Sequence, residues 1–210
     1  ELPAHGLARI LPWDLEQTQR IDAATTRLQL VRRDSASTRR LWDHPFLLRL
    51  SITVGKSLEV ALEMQNTGDS PWRLTSALHT YFSVSDVRTV SVHGFDGCPS
   101  IDTVGGARTH GQQMGPILVD RETDVILLDC PGDAWIDDPD WQRRIRIRKQ
   151  GSASAVVWNP WIEKAKRMPD FGDDEYPGMI CVETTNAPGD ECTIAPGDSH
   201  CLTANLTIET

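Results

Sequence analysis

Apolar and polar residues alternate over long parts of this chain. In residues 57–66, every second position is apolar and the positions between are polar or small. Successive side chains of a strand point to opposite faces of a sheet, so this period of two predicts a strand with one buried and one wet face. Residues 46–54 precede it across Gly55 and Lys56, a two-residue link that is typical of a tight hairpin.

The same alternation predicts further strands along the chain. They cover residues 10–15, 26–32, 72–84, 87–93, 123–129, 142–150, 179–183 and 200–208. A short amphipathic helix is predicted over 161–168, a loop over 131–140, and the arginine-rich segment 142–150 is interpreted as a solvated edge strand that its charge protects from aggregation. Nearly every ordered segment is then a strand, so we expect an all-β antiparallel β-sandwich or barrel.

Length and charge narrow the classes of function. The 210 residues and 23.4 kDa fit a single domain over residues 1–210 with a sizeable core. With 21 basic and 30 acidic residues, the formal net charge is -9 and the sequence pI is about 5.1, so the averaged field repels nucleic acid and anionic membranes. An anionic ligand therefore needs locally placed cations.

The cysteines and the apolar runs exclude further classes. Five cysteines stand at scattered positions without a CxxC pair or a histidine-rich partner, which predicts neither a disulfide framework nor a zinc site. Reduced thiols favour a cytoplasmic location. No stretch approaches the roughly 18 apolar residues of a membrane span. We therefore expect no metal, no cofactor and no membrane partner.

Two ionisable residues stand on the polar faces of predicted strands. Strand alternation turns Glu183 away from its apolar neighbours Ile180 and Val182. It also turns His79 away from the aliphatic face of residues 72–84. A histidine and a carboxylate that meet can transfer protons in concert, and each is worth on the order of a hundredfold to ten-thousandfold in rate. From the pattern alone, a solvated glutamate and a structural histidine stay open as the plainer interpretation.

Four groups of residues, in order and at compatible spacing, carry a resemblance to a known family. They are His-Gly-Leu-Ala-Arg at 5–9 with Pro-Trp at 12–13, Ser-Ala-Leu-His-Thr-Tyr-Phe at 76–82, Trp-Asn-Pro-Trp at 158–161, and Asp-Asp-Glu-Tyr at 173–176 with Cys-Val-Glu at 181–183. In these motifs the chain resembles the hexose-6-phosphate mutarotases, or glucose-6-phosphate 1-epimerases, which are relatives of galactose mutarotase and the aldose 1-epimerases. The resemblance implies an antiparallel β-sandwich of the galactose-mutarotase type, with a concave carbohydrate-binding face and no metal requirement.

The resemblance also implies an activity, the interconversion of the α and β anomers of a hexose 6-phosphate such as glucose 6-phosphate. His79 would be the general acid that protonates the ring oxygen, and Glu183 the general base that takes the proton of the anomeric hydroxyl. Arg9 matches the family arginine that contacts the phosphate. Asp124 stands where the family has an aspartate bound to sugar hydroxyls, although Val125 follows it where the family commonly has arginine.

Several alternatives stay open. The chain could act on unphosphorylated aldoses, which is favoured if Arg9 faces solvent, or it could be a non-catalytic sugar-binding sandwich. Trp158 and Trp161 could stack on a sugar ring or pack in the core. Family members carry strands and another phosphate-binding arginine ahead of residues 5–9, and residues 1–210 lack those N-terminal strands. We therefore expect either a chain that is N-terminally truncated relative to the family, or a shortened member whose sandwich self-association or a partner chain completes.

Overall fold

The structure, a computed structural model, describes residues 3–106 and 108–210. Its strands are β1 Asp14–Arg20, β2 Thr26–Arg33, β3 Phe46–Val54, β4 Leu58–Asn66, β5 Trp72–Leu74, β6 Ser76–Leu78, β7 Tyr81–Ser83, β8 Ser91–His93, β9 Pro99–Asp102, β10 Thr109–Gln112, β11 Thr123–Leu127, β12 Ala134–Asp138, β13 Arg143–Gln150, β14 Ser154–Asn159, β15 Met179–Asn186, β16 Cys192–Ile194 and β17 Ser199–Glu209. Its helices are α1 Ala36–Leu41 and α2 Trp161–Ala165, and 3-10 turns span Ala8–Ile10, Val104–Gly106 and Tyr176–Gly178. Within these ranges, no helix has the length and apolar character needed to cross a membrane.

Two large sheets make up most of the described residues. The first has eight strands in the order β1-β2-β3-β4-β17-β13-β12-β8. The second has seven, in the order β10-β9-β11-β14-β15, with β6 and β7 both paired to the far side of β15. A small third sheet pairs β16 with β5. The pairings between these strands are antiparallel.

The main core lies between the two large sheets. The second sheet contributes Val157, Ile180 and Val182, and the first contributes Ile136 and Ile147, each at most 2% exposed. A fully buried side chain of this kind stabilises the fold by about 1.5–3 kcal/mol. A second apolar cluster joins β3, β4 and β17 of the first sheet to β5, β6 and β16. The predicted all-β antiparallel sandwich is therefore confirmed.

The hairpin prediction is confirmed with one change. β3 and β4 pair from Phe46 opposite Asn66 to Val54 opposite Leu58. The connecting loop therefore has three residues, one more than predicted, and the Gly55 N–H donates to the carbonyl of Ser57 at 2.9 Å to close it. The helix predicted over 161–168 is also present and ends earlier, at the last residue of α2.

Residues 72–84 do not form the single strand that their alternation predicts. They form three short strands, of which β5 pairs with β16 while β6 and β7 pair with β15. The chain changes sheets at Thr75, and a tight turn that brings the Thr80 N–H to the Leu78 carbonyl at 3.0 Å separates β6 from β7. Alternation predicts the face of the sheet on which a residue lies. It does not indicate which strand is the pairing partner, so it cannot predict such a change of partner.

The arginine-rich segment and the predicted loop before it are both corrected. Residues 131–140 contain the strand β12, in which Ile136 is fully buried. β13 is not an edge strand, because it lies between β12 and β17. Three of its arginines, Arg144, Arg146 and Arg148, are solvated as expected. They form ion pairs with Asp133, Asp137 and Glu209 on the neighbouring strands and the turn before β12. These cross-strand ion pairs explain why the strand is rich in arginine, although it is not an edge strand that needs protection from aggregation.

The first predicted strand is displaced. Residues 8–10 form a 3-10 turn, and β1 begins only at Asp14. Pro12 has no N–H to donate to a ladder, which explains why pairing starts after it. The strand predicted over 87–93 is likewise shortened to its last three residues, β8.

Candidate active site

A row of side chains crosses the second sheet on the face that points away from the main core. Asp124 of β11 pairs with Trp158 of β14, Trp158 pairs with Cys181 of β15, and Cys181 pairs with Tyr81 of β7. Residues directly opposite each other on antiparallel strands share a face. Four strands that are distant in sequence thus bring these side chains together.

His79 and Glu183 stand one step further along the same face. Glu183 is two residues from Cys181 and His79 is two from Tyr81, so alternation places both on the side of the row. His79 Nε2 lies 3.2 Å from Glu183 Oε1. The side chain of Glu183 is 7% exposed and that of His79 is 29% exposed. The structure therefore brings together the two residues that the sequence predicts as catalytic, and their catalytic roles stay a prediction.

The break between β6 and β7 positions the histidine. β6 ends opposite Thr184 and β7 begins opposite Cys181, so pairing with β15 is interrupted over two residues. The turn at Thr80 fills this interruption. His79 is thereby released from the ladder and directed at Glu183 across the gap.

Burial sets the protonation of this pair. It raises the pKa of Glu183 to about 8, and the negative charge of Asp124 acts in the same direction. Burial also lowers the pKa of His79, and the positive charges of His5 and Arg9 add to that effect. At neutral pH the pair therefore holds one transferable proton, with the imidazole neutral and the carboxyl protonated. His79 Nδ1 is buried and has no hydrogen-bond partner among the described residues.

Aromatic rings form the wall around the histidine. The ring of Tyr81 stacks on His79 with centroids 5.0 Å apart, and Trp158 meets His79 edge-on at 6.1 Å. Trp161 packs instead against Tyr176, at 5.2 Å, and against the main core. The two tryptophans therefore have different positions: Trp158 is 8% exposed and packs beside His79 and Cys181, while Trp161 is partly buried and packs against the main core.

Asp124 lies in the row, beside a lysine that sequence reasoning missed. Lys164 of α2 places Nζ 3.8 Å from Asp124 Oδ2 and 3.2 Å from Glu122 Oε1. The same ammonium lies 5.7 Å from the ring centroid of Trp158. The structure thus places Asp124 on the same face as His79 and Glu183, and its contact with a sugar stays a prediction. Lys164 lies shortly after the 158–161 motif in the sequence, and this position is the feature by which sequence reasoning could have identified it as a candidate site residue.

The N-terminal segment brings cations to the histidine. Arg9 is exposed, and its Nε donates to the Ala4 carbonyl at 3.3 Å. The ring of His5 lies 5.5 Å from that of His79, centroid to centroid. His5 and Gly6 both have left-handed backbones, with φ of 59° and 73°, and glycine adopts this conformation at little cost. Sequence reasoning named Arg9 and missed His5, although the same five-residue motif contains both.

A separate cavity of about 390 Å³ lies between the N-terminal segment and strands β3 to β6. Its walls are mainly apolar, and they include Leu48, Leu62, Met64 and Trp72. His79 and Glu183 do not line it. Apolar walls suit apolar side chains better than a sugar, so the acid-base chemistry is assigned to the row and not to this cavity.

Three side chains on this face of the sheet, one in the row and two beside it, could hold a metal ion. One ligand atom each from His79, Cys181 and Glu183 lie within 4.8 Å of one another. The spacing of these three residues in the sequence gives no sign of a metal site. The turn between β6 and β7 contributes His79, whereas β15, far away in the chain, contributes Cys181 and Glu183. The expectation that the protein needs no metal stays a prediction.

Nearly the whole chain matches one known family, the aldose 1-epimerases, over residues 1–207. The chain belongs to this family. A protein of Cenchrus ciliaris, provisionally named glucose-6-phosphate 1-epimerase, is 33% identical over an alignment of 205 positions that covers 94% of this chain and 62% of that protein. A protein of Escherichia coli K12 with the same provisional name is 37% identical over 186 residues, which are 89% of this chain and 61% of that protein.

Solved structures agree with the fold of this aldose 1-epimerase family member. The crystal structure of a provisionally assigned mutarotase from Salmonella typhimurium superposes with a TM-score of 0.91 at 31% identity, covering 100% of this chain and 68% of that one. A galactose mutarotase related enzyme from Lactobacillus acidophilus has a TM-score of 0.75 at 13% identity, covering 100% of this chain and 75% of that one. The second likeness concerns the fold alone. Together they confirm the predicted galactose-mutarotase-type sandwich.

The chain spans about three fifths of the length of the curated relatives it matches. Whether residues 1–210 form one domain, and whether self-association or a partner chain completes the sandwich, therefore stay predictions.

Proposed function

We propose that this chain interconverts the α and β anomers of a hexose 6-phosphate, with glucose 6-phosphate as the preferred substrate, and that it needs no cofactor. The observation that supports this most is the pair His79 and Glu183, 3.2 Å apart in a partly closed site. The provisional names of the relatives support the substrate class.

Opening a cyclic hemiacetal requires one proton to arrive and one to leave. His79 delivers a proton to the ring oxygen while Glu183 takes the proton of the anomeric hydroxyl, and the ring opens to the free aldehyde. Rotation about C1–C2 presents the other face of the carbonyl, and the two groups close the ring with exchanged roles. Both oxygens are attached to C1, so side chains that lie 3.2 Å apart in the free protein can each turn to one oxygen of the sugar.

The number of protons on the pair explains why no external acid or base is needed. The pair carries one proton at the start, one in the open-chain state and one at the end. Because burial raises the pKa of Glu183 to about 8 and lowers that of His79, the resting proton is on the carboxyl. For His79 to begin as the acid, this proton first passes from the carboxyl to Nε2 across the 3.2 Å contact, which leaves the carboxylate that acts as the base.

The charged residues around the pair fit a phosphorylated sugar. A protein with a net charge of -9 must attract a phosphate dianion through local cations, and Arg9 supplies one near His79. The imidazole of His5, 5.5 Å from that of His79, adds a hydrogen-bonding group in the same motif. Asp124, at the other side of the pair, accepts hydrogen bonds from sugar hydroxyls.

One observation favours a second candidate, a mutarotase for unphosphorylated aldoses. Arg9 faces solvent, and the hydrogen bond found for its guanidinium goes to the backbone of Ala4. The phosphate contact would then be absent while the acid-base pair is unchanged. A non-catalytic sugar-binding sandwich is the third candidate, and the matched pair of proton carriers argues against it.

Exchange NMR spectroscopy on glucose 6-phosphate tests the proposal. The chain should accelerate exchange between the anomers, and His79→Ala and Glu183→Gln should each lose about a hundredfold to ten-thousandfold of that acceleration. His110→Ala and Glu209→Gln are matched controls, because both residues are exposed and lie outside the row. Exchange no faster than the spontaneous rate, or equal exchange in all variants, would reject the proposal.

We also propose a cytoplasmic location. All five cysteines have free thiols, and free thiols are characteristic of reducing compartments.

A further inference from the structure

Cys181 is a thiol at the centre of the candidate site that the proposed chemistry does not use. It is 0% exposed and lies in the row between Trp158 and Tyr81. No hydrogen bond to its Sγ is found among the described residues. It shares a face with Glu183, two residues further along β15, and β7 and the turn before it bring His79 to the same spot.

The ligand atoms of the three side chains are close to the spacing of a tetrahedral zinc site. Their ligand atoms lie within 4.8 Å of one another, and His79 Nε2 is already 3.2 Å from Glu183 Oε1. Zinc binds nitrogen, sulfur and carboxylate oxygen at about 2.0–2.3 Å, which separates tetrahedral ligands by about 3.3–3.8 Å. A shift of about 1 Å by the sulfur or the imidazole would bring the group to that spacing.

The composition of the group also favours zinc. A nitrogen, a thiolate and a carboxylate form a borderline-soft set that suits Zn²⁺ better than Mg²⁺ or Ca²⁺, which prefer oxygen ligands. Three protein ligands leave a fourth position open. The side chain of His79 is 29% exposed, so this position faces the open side of the site, where the sugar would lie.

We propose that His79, Cys181 and Glu183 form a binding site for Zn²⁺ and that the bound ion blocks the site. Binding takes the lone pair of the imidazole and the charge of the carboxylate, which are the groups that anomer exchange requires. This second part rests on the proposed function, whereas the binding itself does not.

Two features make the ion an inhibitor and not a resident cofactor. A metal-bound histidine ordinarily donates its other N–H to a partner that fixes the ring, but His79 Nδ1 has none among the described residues. The ligand atoms also lie up to 4.8 Å apart, wider than in a bound zinc site, so binding must move a packed side chain. Both features weaken binding and make it reversible.

A titration with Cd²⁺, a spectroscopic substitute for zinc, tests the binding. The ultraviolet absorption of the cadmium–thiolate bond should rise to one equivalent in the wild-type chain and should be lost in Cys181→Ser. Cys201→Ser is the matched control, because Cys201 is an exposed thiol on β17 and its loss should leave the signal unchanged. A signal that persists in Cys181→Ser, or that disappears in Cys201→Ser, would overturn the proposal.

Glu183→Gln keeps the test decisive if Cys181→Ser does not fold. This variant retains the thiol and loses the carboxylate ligand, so calorimetric titration with Zn²⁺ should give a dissociation constant at least about tenfold higher than that of the wild type. An unchanged constant would contradict the site. Both readouts measure metal binding and not activity. A chain that binds Cd²⁺ through Cys181 but does not accelerate anomer exchange would therefore refute the proposed function and leave the metal site supported. In an active chain, Zn²⁺ should inhibit exchange competitively with glucose 6-phosphate.

Discussion

His79 Nε2 and Glu183 Oε1 are within hydrogen-bonding distance at 3.2 Å, yet the pair is not an ion pair at neutral pH. An ion pair would raise the pKa of the imidazole and lower that of the carboxyl. The opposite holds, because burial lowers the pKa of His79 and raises that of Glu183 to about 8. For each group the desolvation caused by burial is the largest cause of the shift. The two side chains therefore form a close neutral contact that holds one transferable proton.

This shared proton predicts a bell-shaped pH dependence for anomer exchange. The active form carries one proton on the pair, whichever group holds it. The rate should fall above about pH 8, where Glu183 loses the proton, and should fall again below the usual histidine value of 6.5, where His79 gains a second one. The measurement is kcat/KM for glucose 6-phosphate across this range. A rate that keeps rising above pH 9 would mean that the doubly deprotonated form is active.

Glu183→Gln should stabilise the protein in alkaline solution while it abolishes activity. The folded-state pKa of Glu183, about 8, exceeds its unfolded value of 4.5, so the folded state binds more protons between these limits. Stability then falls as pH rises through that window, by about 1 kcal/mol per pH unit. The neutral amide removes this loss.

Urea unfolding at pH 5 and pH 9 checks the stability prediction. The wild type should lose on the order of 4 kcal/mol relative to Glu183→Gln between the two conditions. Glu209→Gln, which changes an exposed carboxylate on β17, is the control and should follow the wild type. Equal pH dependence in wild type and Glu183→Gln would show that Glu183 is solvated.

The sequence predicts faces well because a face depends on local alternation. The period of two places Glu183 opposite Ile180 and Val182 in the same way that the structure does. The 76–82 motif likewise places His79 on the side away from the core. These predictions need no knowledge of which strand is the neighbour.

Which strands lie next to each other, and how deeply a side chain is buried, depend on pairing between strands that are far apart in the chain. The sequence predicts these features less well. The row that surrounds the pair exists because β11, β14, β15 and β7 are paired in a register that no local pattern specifies. The same limit explains why β13 was wrongly predicted as an edge strand and why β12 was missed. Glu183 looks solvated from composition alone, whereas the aromatic wall that buries it comes from other strands.

Arg9→Gln should separate the two proposed substrate classes. A charge-assisted hydrogen bond from a guanidinium to a phosphate is strong, so the variant should raise KM for glucose 6-phosphate about tenfold or more. KM for glucose should not change, because glucose has no phosphate. Arg33→Gln is the control, since Arg33 is an exposed arginine on β2. If Arg9→Gln leaves both constants unchanged, the unphosphorylated aldoses become the preferred substrates.

Asp124→Asn should shift the alkaline limb of the pH profile toward lower pH. The charge of Asp124 contributes to the raised pKa of Glu183, so a neutral amide allows Glu183 to lose its proton more easily. Glu122→Gln is a close control, because Glu122 shares Lys164 with Asp124 and does not contribute to the Glu183 pKa. If the alkaline limb shifts in Asp124→Asn and not in Glu122→Gln, the effect is due to the charge of Asp124. If kcat/KM for Asp124→Asn also falls by up to about tenfold at pH values below the limb, Asp124 makes a hydrogen bond to the sugar as well. If both variants match the wild type in limb and rate, Asp124 has no part in the site.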